Sequence, residues 1–551
     1  MLDLVHEPFA RHRDCFFLKK DGGVLIVSEA SLKNEYEEIR KKEPLLFSQR
    51  HEVLEAAKQN VLKNAAREVC HSFLLTQDLP NEPILLTEKT TVTLSNIEVS
   101  EKLFFVLLEK TKVTIGEMVS IAEHVYSEDC IREHGMARNS PFWLERYSAM
   151  SNLALENIER MPPNSIGCSL EKVRLYHTGL INILPKLRIN EDRKVEWLRL
   201  SADEEEDVAA IVAQKQAVYV GSVGDITLEN YAVSILPKLG IHENSEVEWL
   251  DLVATKKEHV SEILSQDKPM FVGRVKNMIL EEYAVFVFLK MKRTRENLEN
   301  LMLSLDGDEL WREIQEELKE ENTAICIEKT EKLILRNHAV NILPALKTKR
   351  EMDTFVLDAK DEDQVSEVLA EEYKGFSFVG IKEFILSGSA VNLLTKTRIG
   401  EDCEVEQYSL LAEEERQMAN VLEKEDKTIA TGRVKKMTLM GYAVCVITKL
   451  RICNDNTMER FALSADEWHF YRILEEGDRS IDVGRIKLGG FRVPEEIRRK
   501  LRYTLVDGET TAVCDGEVEE AVDRGVSEVV DGEGKEVLEE RSSSQRGNHL
   551  D

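Results

Sequence analysis

Two tryptophans occupy the same place in two nearly identical stretches of this chain. "VEWLRLSADEEEDVAAIV" begins at Val195 and "VEWLDLVATKKEHVSEIL" begins at Val247, so Trp197 and Trp249 are both third in their stretch. Exposed tryptophans are among the residues that most often carry binding energy at protein interfaces. We interpret the pair as partner contacts. The alternative is that each indole lies flat over its neighbours and only contributes to packing.

The fifth place of the same motif is apolar over five successive units, which points to the same kind of chemistry. These residues are Ile279, Met302, Ile334, Val356 and Ile385. An apolar stripe inside a polar rim is typical of a partner site, although β-branched residues that simply pack sideways on one another would look the same. Basic residues occupy the third place further along and suggest a secondary patch, Lys436, Arg460 and Arg485.

Catalytic and metal-binding motifs are absent from the sequence. It contains no phosphate-binding G-x-x-x-x-G-K-[ST], no H-E-x-x-H, no G-x-S-x-G, and no G-x-G-x-x-G after a strand. The twelve histidines are dispersed and the nine cysteines include no C-x-x-C pair. We therefore expect no catalytic residues, no metal site and no cofactor, and a protein that is not an enzyme.

The charge balance and the hydropathy pattern exclude further classes of protein. Acidic residues outnumber basic ones 102 to 73, for a net charge of −29, whereas nucleic-acid binding needs a basic footprint. No run of about 18 apolar residues predicts a membrane span, and the N-terminus does not resemble a secretory signal. Unpaired cysteines favour a reducing compartment. We expect a cytoplasmic protein, with the nucleus as the alternative, whose partner is a protein or peptide.

The elements that must position these residues repeat along the chain. An apolar L-x-x-L-x-L pattern starts at Val195, Val223, Val247 and Val275 and recurs in about a dozen units. The starts alternate between intervals of about 28 and 24 residues, so the true period is a pair of about 52. The long unit follows its strand with an amphipathic helix, for which Ser201 and Glu204 predict a capping box. The short unit, as in "YAVSILPKL", has room for about two helical turns.

This pattern resembles the leucine-rich-repeat superfamily, whose units of 20 to 29 residues carry L-x-x-L-x-L on the strand. The resemblance implies an α/β solenoid, a curved horseshoe with a parallel sheet on its concave face and short helices on its convex face. Side chains alternate across a strand, so the third and fifth places should face solvent on the concave side. The asparagine that usually follows the strand in this superfamily is missing here.

Charges alternate at the second place of the motif. Long units carry an acid, as at Glu248, Asp353 and Glu406, while three short units carry Lys276, Lys382 and Lys435. Opposite charges on adjacent strands contribute a few tenths of a kcal/mol each, up to about 1 kcal/mol. We interpret this row as structural, setting the register of neighbouring strands.

Four segments are predicted from these patterns. Residues 1–88 form a helical N-terminal region or cap, with Val53, Leu54 and Ala57 at helical spacing. Residues 89–149 are degenerate repeats or a transition, and residues 150–500 are the repeat array. Residues 501–551, rich in glycine and acids, form an acidic and disordered tail.

The leading functional hypothesis is a non-enzymatic interaction scaffold that binds its partner on the concave face. Two alternatives stay open. One is a GTPase-activating regulator resembling the Ran GTPase activator, which also joins leucine-rich repeats to an acidic tail. The other is a substrate adaptor of a ubiquitin ligase, in which the N-terminal helices would dock a ligase subunit. A purely structural chain without a partner is a further reading, and the oligomeric state is open.

Overall fold

The structure is a computed structural model, and it describes most of the chain. The described residues are 8–20, 22–42, 66–134, 141–190, 193–241, 245–266, 270, 272–291, 298–321, 325–327, 329–348, 351–370, 375–453, 455–507 and 511–513. Most of the predicted acidic tail, residues 514–551, therefore lies outside the described residues. The same is true of the helical pattern predicted around Val53.

The N-terminal region is built mainly from strands. Its elements are β1 (Ala10–His12), β2 (Cys15–Lys20), β3 (Gly23–Ser28), α1 (Glu29–Lys42), β4 (Arg67–Val69), β5 (Ser72–Leu75), β6 (Ile84–Thr87), β7 (Thr91–Leu94), β8 (Ile97–Ser100), α2 (Glu101–Lys110), β9 (Lys112–Ile115), β10 (Val119–Ala122) and β11 (Ile131–Glu133). β1, β2 and β3 pair antiparallel, and β5, β7 and β9 form a parallel sheet.

The prediction of a helical cap over residues 1–88 is not confirmed, because the described part contains six strands and one helix. The missed signal is local. Apolar runs flank Asp21–Gly22, a dipeptide that favours a two-residue hairpin, and Lys20 pairs with Gly23 across that turn. The buried side chains of Phe17, Val24 and Ile26 belong to the same core cluster as the array.

The rest of the chain alternates strands with short helices. Its elements are β12 (Phe142–Arg146), α3 (Asn152–Arg160), β13 (Ile166–Cys168), β14 (Leu170–Tyr176), β15 (Leu187–Ile189), β16 (Lys194–Ala202), α4 (Ala209–Val212), β17 (Val218–Asn230), β18 (Leu239–Ile241), β19 (Glu246–Ala254), α5 (Ser261–Leu264), β20 (Arg274–Glu282), α6 (Val285–Lys290), β21 (Asn300–Leu305), α7 (Asp308–Glu321), β22 (Ile325–Ile327), β23 (Lys332–Asn337), β24 (Leu346–Thr348), β25 (Glu351–Ala359), α8 (Ser366–Leu369), β26 (Phe376–Phe378), β27 (Gly380–Gly388), β28 (Thr397–Ile399), β29 (Glu404–Ala412), α9 (Ala419–Leu422), β30 (Ile429–Ala430), β31 (Arg433–Gly441), β32 (Leu450–Arg451), β33 (Thr457–Met458), β34 (Arg460–Ser464), α10 (Tyr471–Glu475), β35 (Ile481–Lys487), β36 (Phe491–Arg492), α11 (Glu495–Arg498), β37 (Leu501–Asp507) and β38 (Thr511–Val513). 3-10 turns fill many of the connections.

One parallel sheet of fifteen strands dominates the molecule, and we call it the long sheet. Its order is β12-β14-β16-β17-β19-β20-β21-β23-β25-β27-β29-β31-β34-β36, with β18 paired to β17 beside this path. Each strand pairs with the strand of the next unit, as expected for stacked repeats. Together with the short helices, this sheet is consistent with a solenoid repeat.

The apolar motif explains the register of the long sheet. Leu200, Leu228, Leu252 and Leu280 are lateral partners on four successive strands, and all four are fully buried. Such a row places one leucine about 4.8 Å from the next. Burial of each row stabilises two units at once, which is why a single unit could not form this core alone.

The helical connections begin later than predicted. Ser201 lies within β16, and no side-chain cap is present at Glu204, so the predicted capping box is wrong. Capping boxes occur instead in three other long units, at Asp361/Gln364, Glu414/Gln417 and Asp466/His469. In these units the box closes a 3-10 turn placed about three residues further along than the pattern predicted.

Asparagines tie neighbouring connections together at a place different from the usual family position. The Asn341 amide nitrogen donates to the Asp363 carbonyl at 2.7 Å, and its oxygen accepts from the Glu367 backbone N–H at 3.0 Å. Asn182 and Asn392 accept equivalent backbone bonds. Since each asparagine lies in the 3-10 segment of a short unit and reaches the next long unit, it links the pair.

Candidate binding face

The third and fifth residues of the strand motif form two lateral rows on one side of the long sheet, and we call this side the open face. The third row is Trp143, Lys172, Trp197, Asp225, Trp249, Asn277, Asn300, Lys332, Thr354, Glu383, Gln407, Lys436 and Arg460. The fifth row is Glu145, Arg174, Arg199, Thr227, Asp251, Ile279, Met302, Ile334, Val356, Ile385, Ser409, Thr438, Ala462 and Arg492.

Trp197 is covered by cations from its own chain. Lys172 Nζ lies 4.4 Å from the Trp197 ring centroid, and the guanidinium carbons of Arg174 and Arg199 lie at 4.7 and 4.9 Å. Each cation–π contact of this kind contributes about 0.5 to 1 kcal/mol. The structure thus places Trp197 in a packed cluster of cations, where it is partly exposed.

A third tryptophan, missed by the sequence analysis, completes this cluster. Trp143 lies on β12, and Lys172 Nζ is 4.2 Å from its ring centroid, so the ammonium sits between two indoles. Trp143 is 52% exposed. The signal was the alternation "FWLER" with buried Phe142 and Leu144, which lies before the predicted start of the array at residue 150. We call Trp143, Lys172, Trp197, Arg174 and Arg199 the aromatic ladder.

Trp249 differs from Trp197 because none of the described residues places a cation over its ring. It is 36% exposed and its lateral neighbours are Asp225 and Asn277. The two tryptophans that share one sequence motif therefore have different environments, and Trp249 retains the exposure that a contact residue needs.

Carboxylates separate the aromatic ladder from the apolar part of the face. Burial, with added repulsion from Glu281 and Glu229, raises the pKa of Asp251 to about 6. Burial also raises the pKa of Asp225, against the effect of Arg199. These side chains lie on three adjacent strands with Arg199 as the nearby cation, so ionisation of Asp251 is opposed by its surroundings.

The five predicted apolar residues form one continuous row, which we call the apolar stripe. Ile279, Met302, Ile334, Val356 and Ile385 are successive lateral partners. Four strand intervals of about 4.8 Å give the stripe a length of roughly 19 Å. Ile279, Met302, Ile334 and Ile385 are partly exposed.

The expectation that all five residues of the stripe are displayed is wrong for Val356, which is only 5% exposed. It has an isoleucine on either side in the row, and these flanking side chains are in position to cover it. Lys332 and Arg336 stand on either side of Ile334 along β23 and give the stripe a basic rim.

The alternating charges of the second place do form ion pairs between strands. Lys276 Nζ lies 3.0 Å from Glu248, Lys382 Nζ 2.9 Å from Asp353, and Lys435 Nζ 3.9 Å from Glu406. Each pair joins the lysine to the strand before it. Because these groups are exposed, each pair contributes only a few tenths of a kcal/mol, in agreement with a role in register.

The predicted basic patch is brought together only in part. Lys436 and Arg460 are lateral partners on β31 and β34. Arg485, however, lies on β35 in a separate sheet, where it pairs with Thr457 and Thr504. The motif in this last unit is displaced by three residues, since Met458 pairs with Ile486 and not with Val483.

A different arginine lies at this end of the open face, in the fifth row and not in the third. Arg492 is exposed and lies beside Ala462 at the end of the fifth row. We call Lys436, Arg460 and Arg492 the basic end of the open face. Among the described residues no carboxylate lies within ion-pair distance of these three side chains, while Lys435 and Lys487 nearby are both paired.

An open pocket of about 270 Å³ adjoins the other end of the face. Its walls come from α2 and β12, with Lys19 from β2, and it is lined by Lys19, Glu101, Lys102, Phe105, Val106, Glu109, Trp143, Glu145 and Arg146. Glu109 pairs with Arg146 and with Lys19. Because Trp143 lines the pocket, the aromatic ladder continues into it.

The described residues offer little nucleophilic or metal chemistry. They contain no group of three His, Cys, Asp or Glu side chains arranged to hold a metal ion. Burial raises the pKa of Cys168 to about 12 and that of Cys445 to about 11, so both thiols are protonated near neutral pH. His338 accepts or donates a hydrogen bond with Asp308 at 2.9 Å and stacks on Trp311, as expected of a packed repeat residue.

Comparison with known proteins adds no family to this description. No family model matches the chain, and neither the curated proteins nor the solved structures contain a match. Within the described ranges, no helix is both long enough and apolar enough to cross a membrane. The geometry of the open face is therefore the basis on which a function can be proposed.

Proposed function

We propose that this chain is a non-enzymatic interaction scaffold of leucine-rich-repeat type, whose open face binds a protein or an extended peptide. In this proposal the long sheet is curved with the open face on its concave side, as the resemblance implies. The partner contacts Trp249 and the apolar stripe. The described cysteines are free thiols, which supports the proposal that the protein functions in a reducing compartment.

One observation carries the proposal, namely the in-register apolar stripe, four of whose five side chains are partly exposed on the open face. Isoleucine and methionine side chains on adjacent strands lie about 4.8 Å apart, so their exposed parts form one surface. Such contiguous apolar surface on a soluble protein marks interaction sites more often than chance. The polar rim of Lys332 and Arg336 on one strand fits the usual anatomy of an interface.

Site-specific photo-cross-linking tests the proposal in the native cell. A photoreactive amino acid replaces Ile334 on the stripe, or Val379, which is 57% exposed and lies between β26 and β27 outside the strands of the long sheet. We expect one distinct cross-linked product from position 334 and none from position 379. The same experiment at Met302 provides a second position on the stripe. The proposal is wrong if positions 334 and 379 give the same products, or if neither 334 nor 302 gives a product.

A further inference from the structure

The basic end of the open face is the strongest concentration of unneutralised charge among the described residues of that face. Lys436 and Arg492 are exposed, and Arg460 is partly exposed. The Nε of Arg460 is buried without a hydrogen-bond acceptor. Three neighbouring cations without a carboxylate partner repel one another and raise the free energy of the unoccupied face. A segment that carries carboxylates would reduce this repulsion by pairing with them.

The chain carries such a segment directly after this end. Residues 514–551, which lie outside the described residues, contain twelve acidic and four basic side chains. Aliphatic residues are interspersed with the acids, as in "EVEEAV" and "VSEVV". Opposite charge and matching apolar content make this segment complementary to the basic end and to the half-exposed Leu411 and Met440 beside it.

The point at which the described chain ends brings the segment close to the basic end. Val513 pairs with Leu505, Leu505 with Ile486, and Ile486 with Met458. Three strand intervals of about 4.8 Å separate Val513 from Met458, or roughly 14 Å. Arg460 follows Met458 by two residues. Because an extended residue spans about 3.3 to 3.6 Å, fewer than ten residues of the segment are needed to reach it.

From this charge, composition and proximity we propose that residues 514–551 dock on the basic end of their own open face, through carboxylates on Lys436, Arg460 and Arg492. The docked segment occupies the end of the same face that carries the apolar stripe, so a partner extending past Ile385 competes with it. The docking itself needs no partner and stands whether or not the proposed function holds.

Zero-length carbodiimide cross-linking of the full chain tests this docking. We expect Lys436 to be joined to carboxylates of residues 515–540 several times more often than Lys215, an exposed lysine off the face without an ion pair. The yield at Lys436 should fall several-fold in 1 M salt, because screening shortens the reach of exposed charges. It should stay constant on tenfold dilution, since the contact lies within one chain.

Substitutions make the test specific. Arg460→Gln combined with Arg492→Gln should lower the Lys436 yield several-fold, while Arg398→Gln, an exposed arginine on β28 outside the long sheet, should leave it unchanged. Far-UV circular dichroism and thermal melting establish that both variants are folded. Equal yields at Lys436 and Lys215, no effect of the double substitution, or a dimeric product that vanishes on dilution would each overturn the proposal.

Discussion

At the scale of single residues, two tryptophans at the same position of the sequence motif have different surroundings in the structure. Trp197 lies under three cations, whereas Trp249 is 36% exposed and, within the described ranges, no cation lies over its ring. The difference comes from the neighbouring strands, because β14 supplies Lys172 and Arg174 next to Trp197. A repeat fixes where a side chain points, while the adjacent units decide what it contacts.

Substituting the two tryptophans should separate packing from recognition. We expect Trp197→Ala to lower the free energy of unfolding by about 1 to 2 kcal/mol more than Trp249→Ala, because it removes contacts with three cations. We expect Trp249→Ala to weaken partner binding by about 1 to 2 kcal/mol. Urea unfolding and calorimetric titration measure the two quantities, and equal loss of stability in both variants would contradict the assignment.

Asp251 should make the stability of the protein depend on pH. Its pKa of about 6 in the folded chain lies above the value of about 3.9 expected when unfolded. The folded state therefore holds this proton more tightly, and the resulting stability is complete below about pH 4 and is lost as the pH rises through 6. Asp251→Asn should be more stable than the natural chain at pH 7, by roughly 1 to 2 kcal/mol.

Urea unfolding of both proteins at pH 4 and pH 7 checks this expectation. The two proteins should have nearly the same free energy of unfolding at pH 4. At pH 7 the free energy of unfolding of Asp251→Asn should be the higher one. A difference that is the same at both pH values would mean that Asp251 does not titrate in this range.

At the scale of elements, the unit of this fold is a pair of repeats, and in three of the described pairs an asparagine joins the short unit to the next long unit. The Asn341 side chain satisfies one carbonyl and one backbone N–H of the following unit. Asn182 does the same three pairs earlier. The short units that carry these asparagines have only a 3-10 turn, so the side chains supply the bonds that a longer helix would otherwise make within itself.

Asn341→Ala should destabilise the protein by about 1 to 3 kcal/mol, because it removes one hydrogen bond to the Asp363 carbonyl and the side-chain acceptor of the partly buried Glu367 N–H. Chemical unfolding measures the loss. Asn81→Ala serves as the control, since the Asn81 side chain is exposed and only its backbone oxygen is used in hydrogen bonds. Equal effects of the two substitutions would show that the bridge contributes nothing.

The strands of the array follow from the sequence because the apolar motif has one physical cause, burial against the next unit. The open-face rows follow too, because side chains alternate along a strand. Burial of Val356 does not follow, since it depends on side chains from two other strands. The place of Arg485 was predicted wrongly because the pairing register of the last unit is displaced by three residues. Trp143 was missed because its strand precedes the recognisable repeats.

At the scale of the whole molecule, one core cluster runs from the N-terminal strands to Leu501. Units contact mainly their neighbours, so stability is approximately a sum of unit and interface terms. Long-range effects of a substitution should therefore fade with the number of strands that separate it from the observed site.

A core substitution in the middle of the array should reveal this limited reach. Phe384 is fully buried and stacks on Phe355 and Tyr408, and Phe384→Ala should cost about 3 to 5 kcal/mol. In hydrogen-exchange measurements, the backbone amides of β25, β27 and β29 should lose the most protection and those of β14 the least. Uniform loss along the whole sheet would contradict a sum of neighbouring units.

The affinity of Ile334→Asp for the partner captured at position 334 is the measurement that shows whether the apolar stripe binds this partner. A charge in the middle of the apolar stripe should weaken binding at least tenfold, which corresponds to about 1.4 kcal/mol, without lowering the thermal midpoint. Val379→Asp, at a more exposed position outside the long sheet, should bind like the natural chain. If both variants bind equally well, the open face is not the binding site and the account is wrong.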